Sequence, residues 1–206
     1  MPCKKIFLVM ILMISLSGLF SLSFLDAPKV TRWVISKNGS LQVKGSTNVN
    51  TFSCVISNYA TPDTITVVKI KPSDTSISLN GEIGLNVQNF DCHHPMMTAD
   101  LRKTLKAKEF PKLYIRFINL SRLPVLLTHH ELIKGWVEIE LANKTKLIQV
   151  DYKIYKDAQQ IIHLIGNRNV NFTDFNLVPP RKLGGMIQTN NLLNIEFHLQ
   201  LKNLNY

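Results

Sequence analysis

Residues 136–155 read WVEIELANKTKLIQVDYKIY, and this run decides the architecture. Val137, Ile139 and Leu141 alternate with Trp136, Glu138 and Glu140. Beyond Asn143-Lys144 the apolar set resumes at Ile148, Val150, Tyr152 and Ile154. A period of two sends successive side chains to opposite faces, so each half reads as a strand with one face buried. The polar step between them is turn chemistry, and the pair is expected to form an antiparallel hairpin.

The same period recurs on both sides of this hairpin. Leu41, Val43 and Gly45 alternate with Gln42 and Lys44, and 64–70 is β-branched almost throughout before Pro72-Ser73-Asp74 punctuates it. Residues 76–79 alternate again, Asn80-Gly81 reads as a tight turn, and Ile83, Leu85 and Val87 follow at spacing two. Leu113, Ile115 and Phe117 come next, then 161–165, and last Leu193, Ile195, Phe197, Leu199 and Leu201. Many short strands at intervals of roughly 8–12 residues predict an all-β sandwich or barrel. One stretch departs from the pattern. Residues 95–107 are mostly good helix formers, with Met97, Leu101 and Leu105 four apart on one face. Arg102, Lys103, Lys106 and Lys108 fall on the other side. Pro95 suits a helix start, so one amphipathic helix is expected between antiparallel strands.

The chain has 206 residues, 45% hydrophobic and 18% charged, which fits one globular domain plus a short extension and excludes a disordered protein. That extension is at the front. Lys4 and Lys5 precede the uncharged stretch 6–25, IFLVMILMISLSGLFSLSFL, the pattern of a secretory signal peptide. Cleavage is expected after Ser23, leaving a domain over 30–203; the rival reading is an uncleaved signal anchor. Either way the domain is exported, to the periplasm or outside the cell. With Cys3 in the signal, Cys54 and Cys92 remain, and an exported pair reads first as one disulfide and second as two separate buried thiols.

The net charge of +10 points towards nucleic acid until the order of the residues is considered. Two of those charges leave with the signal, and no basic-aromatic interleaving or nucleic-acid motif accompanies the rest. The residual charge suits an anionic membrane surface or an anionic lipid head. Nucleophile elbows, His-Glu-x-x-His, Cys-x-x-Cys and glycine-rich phosphate loops are all missing, so no catalytic residue is assigned. Among the six histidines, the adjacent pairs His93-His94 and His129-His130 would chelate one ion poorly, and no metal or cofactor is expected.

The pattern resembles the YceI-like, polyisoprenoid-binding family. Trp33-Val34-Ile35 followed by a Gly-Ser-Leu strand and a Gly45-centred strand resembles its opening. Residues 100–113, from Asp100-Leu101 to Phe110-Pro111-Lys112-Leu113, resemble its inserted helix and the aromatic-Pro step after it. Residues 171–177 resemble its late turn, and 187–201 its closing strands. The chain departs from the family at the Arg-Asp pair leading into the helix, which is absent, and at Asn176, where Gly is usual; Asn also tolerates positive φ.

What the resemblance implies is a lipocalin-like antiparallel β-barrel of about eight strands, its apolar interior holding a long isoprenoid chain. The inward set expected to line it is Leu41, Val43, Leu79, Leu85, Val87, Ile115, Phe117, Val137, Ile139, Val150, Tyr152, Phe172, Ile195 and Phe197. Met97, Leu101 and Leu105 are expected either to cover the barrel mouth as a lid or simply to pack there. The expected function is a non-enzymatic exported carrier of an isoprenoid or other long-chain lipid. The alternative is a ligand-free β-domain serving as an envelope-stress or protein-interaction module. The resemblance also allows a homodimer.

Overall fold

The computed structural model describes residues 29–204 apart from 58–62, 70 and 72. The expected export signal, with Lys4, Lys5 and Cys3, lies outside the described residues, as does the Pro72 punctuation.

Alternation becomes strand throughout. In chain order these are β1 (Lys29–Ile35), β2 (Ser40–Ser46), β3 (Thr51–Ile56), β4 (Thr64–Lys69), β5 (Ile77–Asn86), β6 (Lys112–Leu120), β7 (Glu131–Leu141), β8 (Lys144–Lys156) and β9 (Ile162–Asn171). Two short strands, β10 (Arg181–Lys182) and β11 (Ile187–Gln188), precede the long β12 (Leu192–Leu204). The hairpin expected over residues 136–155 is β7–β8, turning on Ala142 and Asn143 with φ of 49° and 60°. Two consecutive residues in the left-handed region match the twist of the strands they join.

β12 closes the barrel. Around the ring the order is β1-β4-β5-β6-β7-β8-β9-β12, and β12 returns to β1 through Leu201–Leu204. Further up the same edge, Asn194–His198 of β12 pair with β2, which carries β3. The wall is therefore a closed lower ring with a β2–β3 extension above β1. All the ladder pairings are antiparallel, and the inward residues of the ten strands of the main sheet fuse into one apolar core. A closed ring of this size has an interior just wide enough to be filled by side chains or to hold one slim ligand.

Where the β2–β3 extension meets β5, the ladder is thin. Among the described residues, the outer edge of β3 bonds to the segment after β5 through Val55 and Asp91 alone, which exchange two backbone hydrogen bonds of 2.8 and 2.9 Å. The Cys54–Cys92 disulfide crosses the same seam. Beyond it lies the inserted helix, α1 (Pro95–Thr104). Pro95 occupies its first turn, and His94 caps it by accepting a hydrogen bond from the Met97 amide. The Cys92 amide donates to Thr98 Oγ1, and Arg102 Nη2 donates to the Phe90 carbonyl, so α1 is tied back to the segment that leads into it.

Two local expectations are corrected. Asn80-Gly81 is not a turn: both residues lie inside β5, at a register shift against β6. Alternation runs unbroken from Ile77 through Leu79, Ile83 and Leu85, all buried, so the long-range period overrides the local turn signal. Gly81 is needed instead for close approach, since a Cβ there would meet the Thr64 carbonyl and the Ile65 Cα. The helix also stops short of residue 107. Leu105 caps it, Lys106 adopts φ 55°, and the reversal buries Leu105 and Ala107 before β6 begins.

Candidate functional site

Two layers of inward side chains divide the barrel. At the level of Phe117, Tyr152 and Phe197 the interior is solid. Phe197 meets both other rings edge to face, with centroids 5.8 Å apart in each case. Two glycines make room: a Cβ on Gly166 would collide with the Phe197 ring, and one on Gly135 with Tyr152. Burial pushes the Tyr152 phenol well above its usual range, and its hydroxyl has no hydrogen-bond partner among the described residues.

One layer up, the interior opens into a cavity of about 50 Å³. Its walls come from β2, β6, β7, β9 and β12, its roof from Leu101 of α1 and the capping Leu105, and its side from Phe172, Phe175 and Leu177. This last group belongs to the turn 171–177. There the Asp174 carboxylate accepts from the Asn171 amide, and Asn176 sits at φ 56°, which turns the three apolar side chains inward. The lining is apolar almost throughout; Asn171 is its one polar side chain.

Beside this cavity, across Leu101 and Phe172, lies a more open space of about 190 Å³ at the seam between β3, α1 and the β10–β11 loop. Val49, Phe52, Met96, Met97 and Ile187 supply its apolar surface, and Asp100 and Lys182 its charges. Those two form an ion pair of 2.7 Å across the opening, tying α1 to β10. The result is an apolar chamber under an amphipathic helix, with an open apolar groove, here called the mouth, beside it along the seam.

The expected lining residues distribute as follows. Leu41, Val43, Leu101, Leu105, Ile115, Ile139, Phe172 and Ile195 lie on the chamber, and Met97 on the mouth. Leu79, Leu85, Val87, Phe117, Val137, Val150, Tyr152 and Phe197 are buried core but lie off both surfaces. Phe90, Leu113, Leu141, Val170, Phe175, Leu177 and Leu193 line the chamber without having been anticipated. Leu113, Leu141 and Leu193 carry the inward parity but sit at strand ends, and parity does not say which inward residues lie at the height of the chamber.

The histidines do other work. His94 caps α1, and His93 sits at φ 57° beside Asp91. On the outer barrel wall, His163 Nε2 lies 3.0 Å from Asp157 Oδ2 and His163 Nδ1 lies 2.8 Å from His198 Nε2. A carboxylate only accepts, so the His163 Nε2–H donates to Asp157, and Nδ1 is left to accept from His198. Tyr155 stacks on His163 at 4.6 Å. This chain of bonds joins β9 and β12 to the β8–β9 turn. No group of three or more His, Cys, Asp or Glu side chains arranged to hold a metal occurs among the described residues. Nor does any described helix have the length and apolarity to cross a membrane.

A closed antiparallel barrel with an inserted helix over an apolar chamber is a lipocalin-like fold of the YceI-like type. Solved structures share it. BcnA from Burkholderia cenocepacia matches with a TM-score of 0.58 at 13% identity, over 79% of this chain and 95% of its own. A polyisoprenoid binding domain from Saccharophagus degradans, implicated in plant cell wall breakdown, matches at 0.57 and 7% identity, over 82% and 97%. The YCEI protein of Campylobacter jejuni matches at 0.51 and 13% identity, over 72% and 84%. At these identities the likeness is one of fold. No protein-family model and no curated protein matches the sequence.

Proposed function

We propose that this protein is an exported, non-enzymatic binder of a long-chain lipid, an isoprenoid or a chain of similar width, whose apolar tail end enters the chamber beneath α1. The observation that carries this reading is the chamber itself: apolar walls, a helical roof, and an adjoining mouth with two adaptable methionines. Its volume limits the reading. Chamber and mouth together stay below the roughly 300 Å³ at which pockets that enclose a drug-sized ligand begin. The aromatic layer blocks any deeper path, so the ligand is held by its end with the remainder along the mouth. Export is supported by the disulfide, which persists in oxidising compartments. The matched polyisoprenoid binding domain supports the choice of ligand class.

The test is organic extraction of the purified protein followed by mass spectrometry, together with equilibrium dialysis against farnesol. A lipid near one per chain is expected, and Val43→Phe, which fills the chamber from β2, should abolish farnesol uptake while the protein stays folded. Recovery of no lipid with no farnesol uptake would overturn the proposal. That outcome would favour the ligand-free reading, which the solid lower layer of the barrel already supports.

A further inference from the structure

We propose that the α1 end of the barrel docks on an anionic phospholipid bilayer, with the chamber mouth facing the lipid. This deepens the lipid-binding reading and rests on it for its purpose, but its own evidence is the surface around the mouth.

Three observations converge there. First, the solvent side of α1 and of the turn that follows it is basic. Arg102, Lys103, Lys106 and Lys108 surround a concavity of about 480 Å³ in which Glu109 is the only acidic lining residue. Second, the rim of the mouth carries apolar side chains turned to solvent. Val49 is 64% exposed, Met96 63%, Leu183 65% and Met186 71%. They are not scattered. Val49 and Met96 both line the mouth, Lys182 beside Leu183 pairs with Asp100 of α1, and Asn48 donates to the Met186 carbonyl. The β2–β3 turn, the start of α1 and the 183–187 loop therefore form one continuous surface. On α1 itself, Met96 and Lys103 share the outer face, being seven residues apart.

Third, one of these side chains is held out at a cost. Leu183 adopts φ 50°, the left-handed region that a β-carbon disfavours by roughly 1–2 kcal/mol. The following Gly184 and Gly185 also have positive φ, so the loop tip is built to project. An exposed leucine in a disfavoured conformation gains nothing from the fold. Apolar tips beside a cluster of lysines match the two layers of a bilayer surface: acyl chains and phosphate-bearing heads.

The experiment is flotation of the purified protein with vesicles of phosphatidylcholine alone, and of phosphatidylcholine mixed with phosphatidylglycerol. Binding is expected to the mixed vesicles only, and to weaken as salt is raised. Lys103→Gln with Lys106→Gln and Lys108→Gln, all exposed positions, should weaken partitioning on the order of a hundredfold. Leu183→Ser with Met186→Ser should weaken it several-fold while leaving the salt dependence intact. Farnesol uptake, which needs no bilayer, should be unchanged in the lysine variant, whose three positions lie off the chamber and the mouth.

Equal binding to both vesicle types, no binding to either, or wild-type binding by the triple variant would overturn the docking proposal. Calorimetric binding of inorganic phosphate without vesicle binding would also overturn it, leaving a soluble-anion site. If farnesol uptake fails while vesicle binding holds, the lipid-tail reading falls and the docking surface stands; the converse result removes the docking surface alone.

Discussion

Breaking the Cys54–Cys92 bond should cost this fold more than any single surface change. The two residues are 38 apart in sequence. Closing a loop of that length removes about 4 kcal/mol of unfolded-chain entropy. Both cysteines are buried, and reduction removes the crosslink without changing any other side chain. Guanidinium unfolding of the oxidised and phosphine-reduced protein, followed by far-ultraviolet circular dichroism, should show the midpoint falling by roughly 1 M at an ordinary denaturant slope. The change should also have an address. With the bond gone, the Val55–Asp91 pair is the remaining backbone link across the seam among the described residues. Amide exchange should therefore accelerate in α1 and β3 before it does in β7 and β8. A loss below about 1 kcal/mol, or acceleration spread evenly over the barrel, would refute the argument that this crosslink closes the seam.

Three further outcomes test other parts of the structure. Phe197→Ala removes the ring shared by the aromatic layer and should cost about 3–5 kcal/mol in denaturant unfolding, while joining the chamber to space below and raising the length of chain taken up. Asn176→Gly should change stability by only a few tenths of a kcal/mol, whereas Asn176→Val should cost roughly 1–2 kcal/mol, because the site has φ 56°. Acid should destabilise the fold in two stages. Burial first, and then the neighbouring His163, holds the His198 imidazole below its ordinary range, so the unfolded chain binds this proton first and stability falls as pH drops below about 6.5. The hydrogen bond from His163 likewise holds the Asp157 carboxyl low, and its contribution is lost below about pH 4. Unfolding free energies at stepped pH should show the first stage reduced in His198→Gln; equal profiles for the two proteins would contradict it.

β5, β6, β7, β8 and β12 were legible because one side of each faces core and the other water, and a period of two records that directly; β1, exposed over its first half, shows no such period. Thr51–Ile56 was silent: in TFSCVI the inward Cys54 and Ile56 alternate with the half-buried Ser53 and Val55, so the two sides differ little in polarity. The chamber was legible only in part, for a geometric reason. Alternation says whether a side chain points in or out, but not its height along the barrel axis. Ile115 and Phe117, or Ile195 and Phe197, have the same parity, yet one of each pair lines the chamber and the other lies in the solid layer. Height is set by the register and stagger between strands distant in sequence, such as β12 against β2 and β9. The usable local signal was the turn 171–177, where Phe172, Phe175 and Leu177 put three large apolar residues into a segment that ought to be polar.

The seam explains why the disulfide and the mouth occupy one place. A continuous ladder around the upper rim would close the barrel against any chain-like ligand, because every backbone group on both edges would be paired. An unpaired edge gives access but weakens closure and leaves β3 open to non-native pairing. Among the described residues the outer edge of β3 is crossed by two hydrogen bonds and one covalent bond, and the apolar mouth lies immediately beside them, lined by Cys54 itself together with Phe52, His94 and Met97. The covalent bond supplies the closure that the missing hydrogen bonds would have given, without occupying the width of a strand. An opening of this kind belongs next to the staple and under the helix that the staple anchors, and that is where the exposed apolar rim and the basic face of α1 are found.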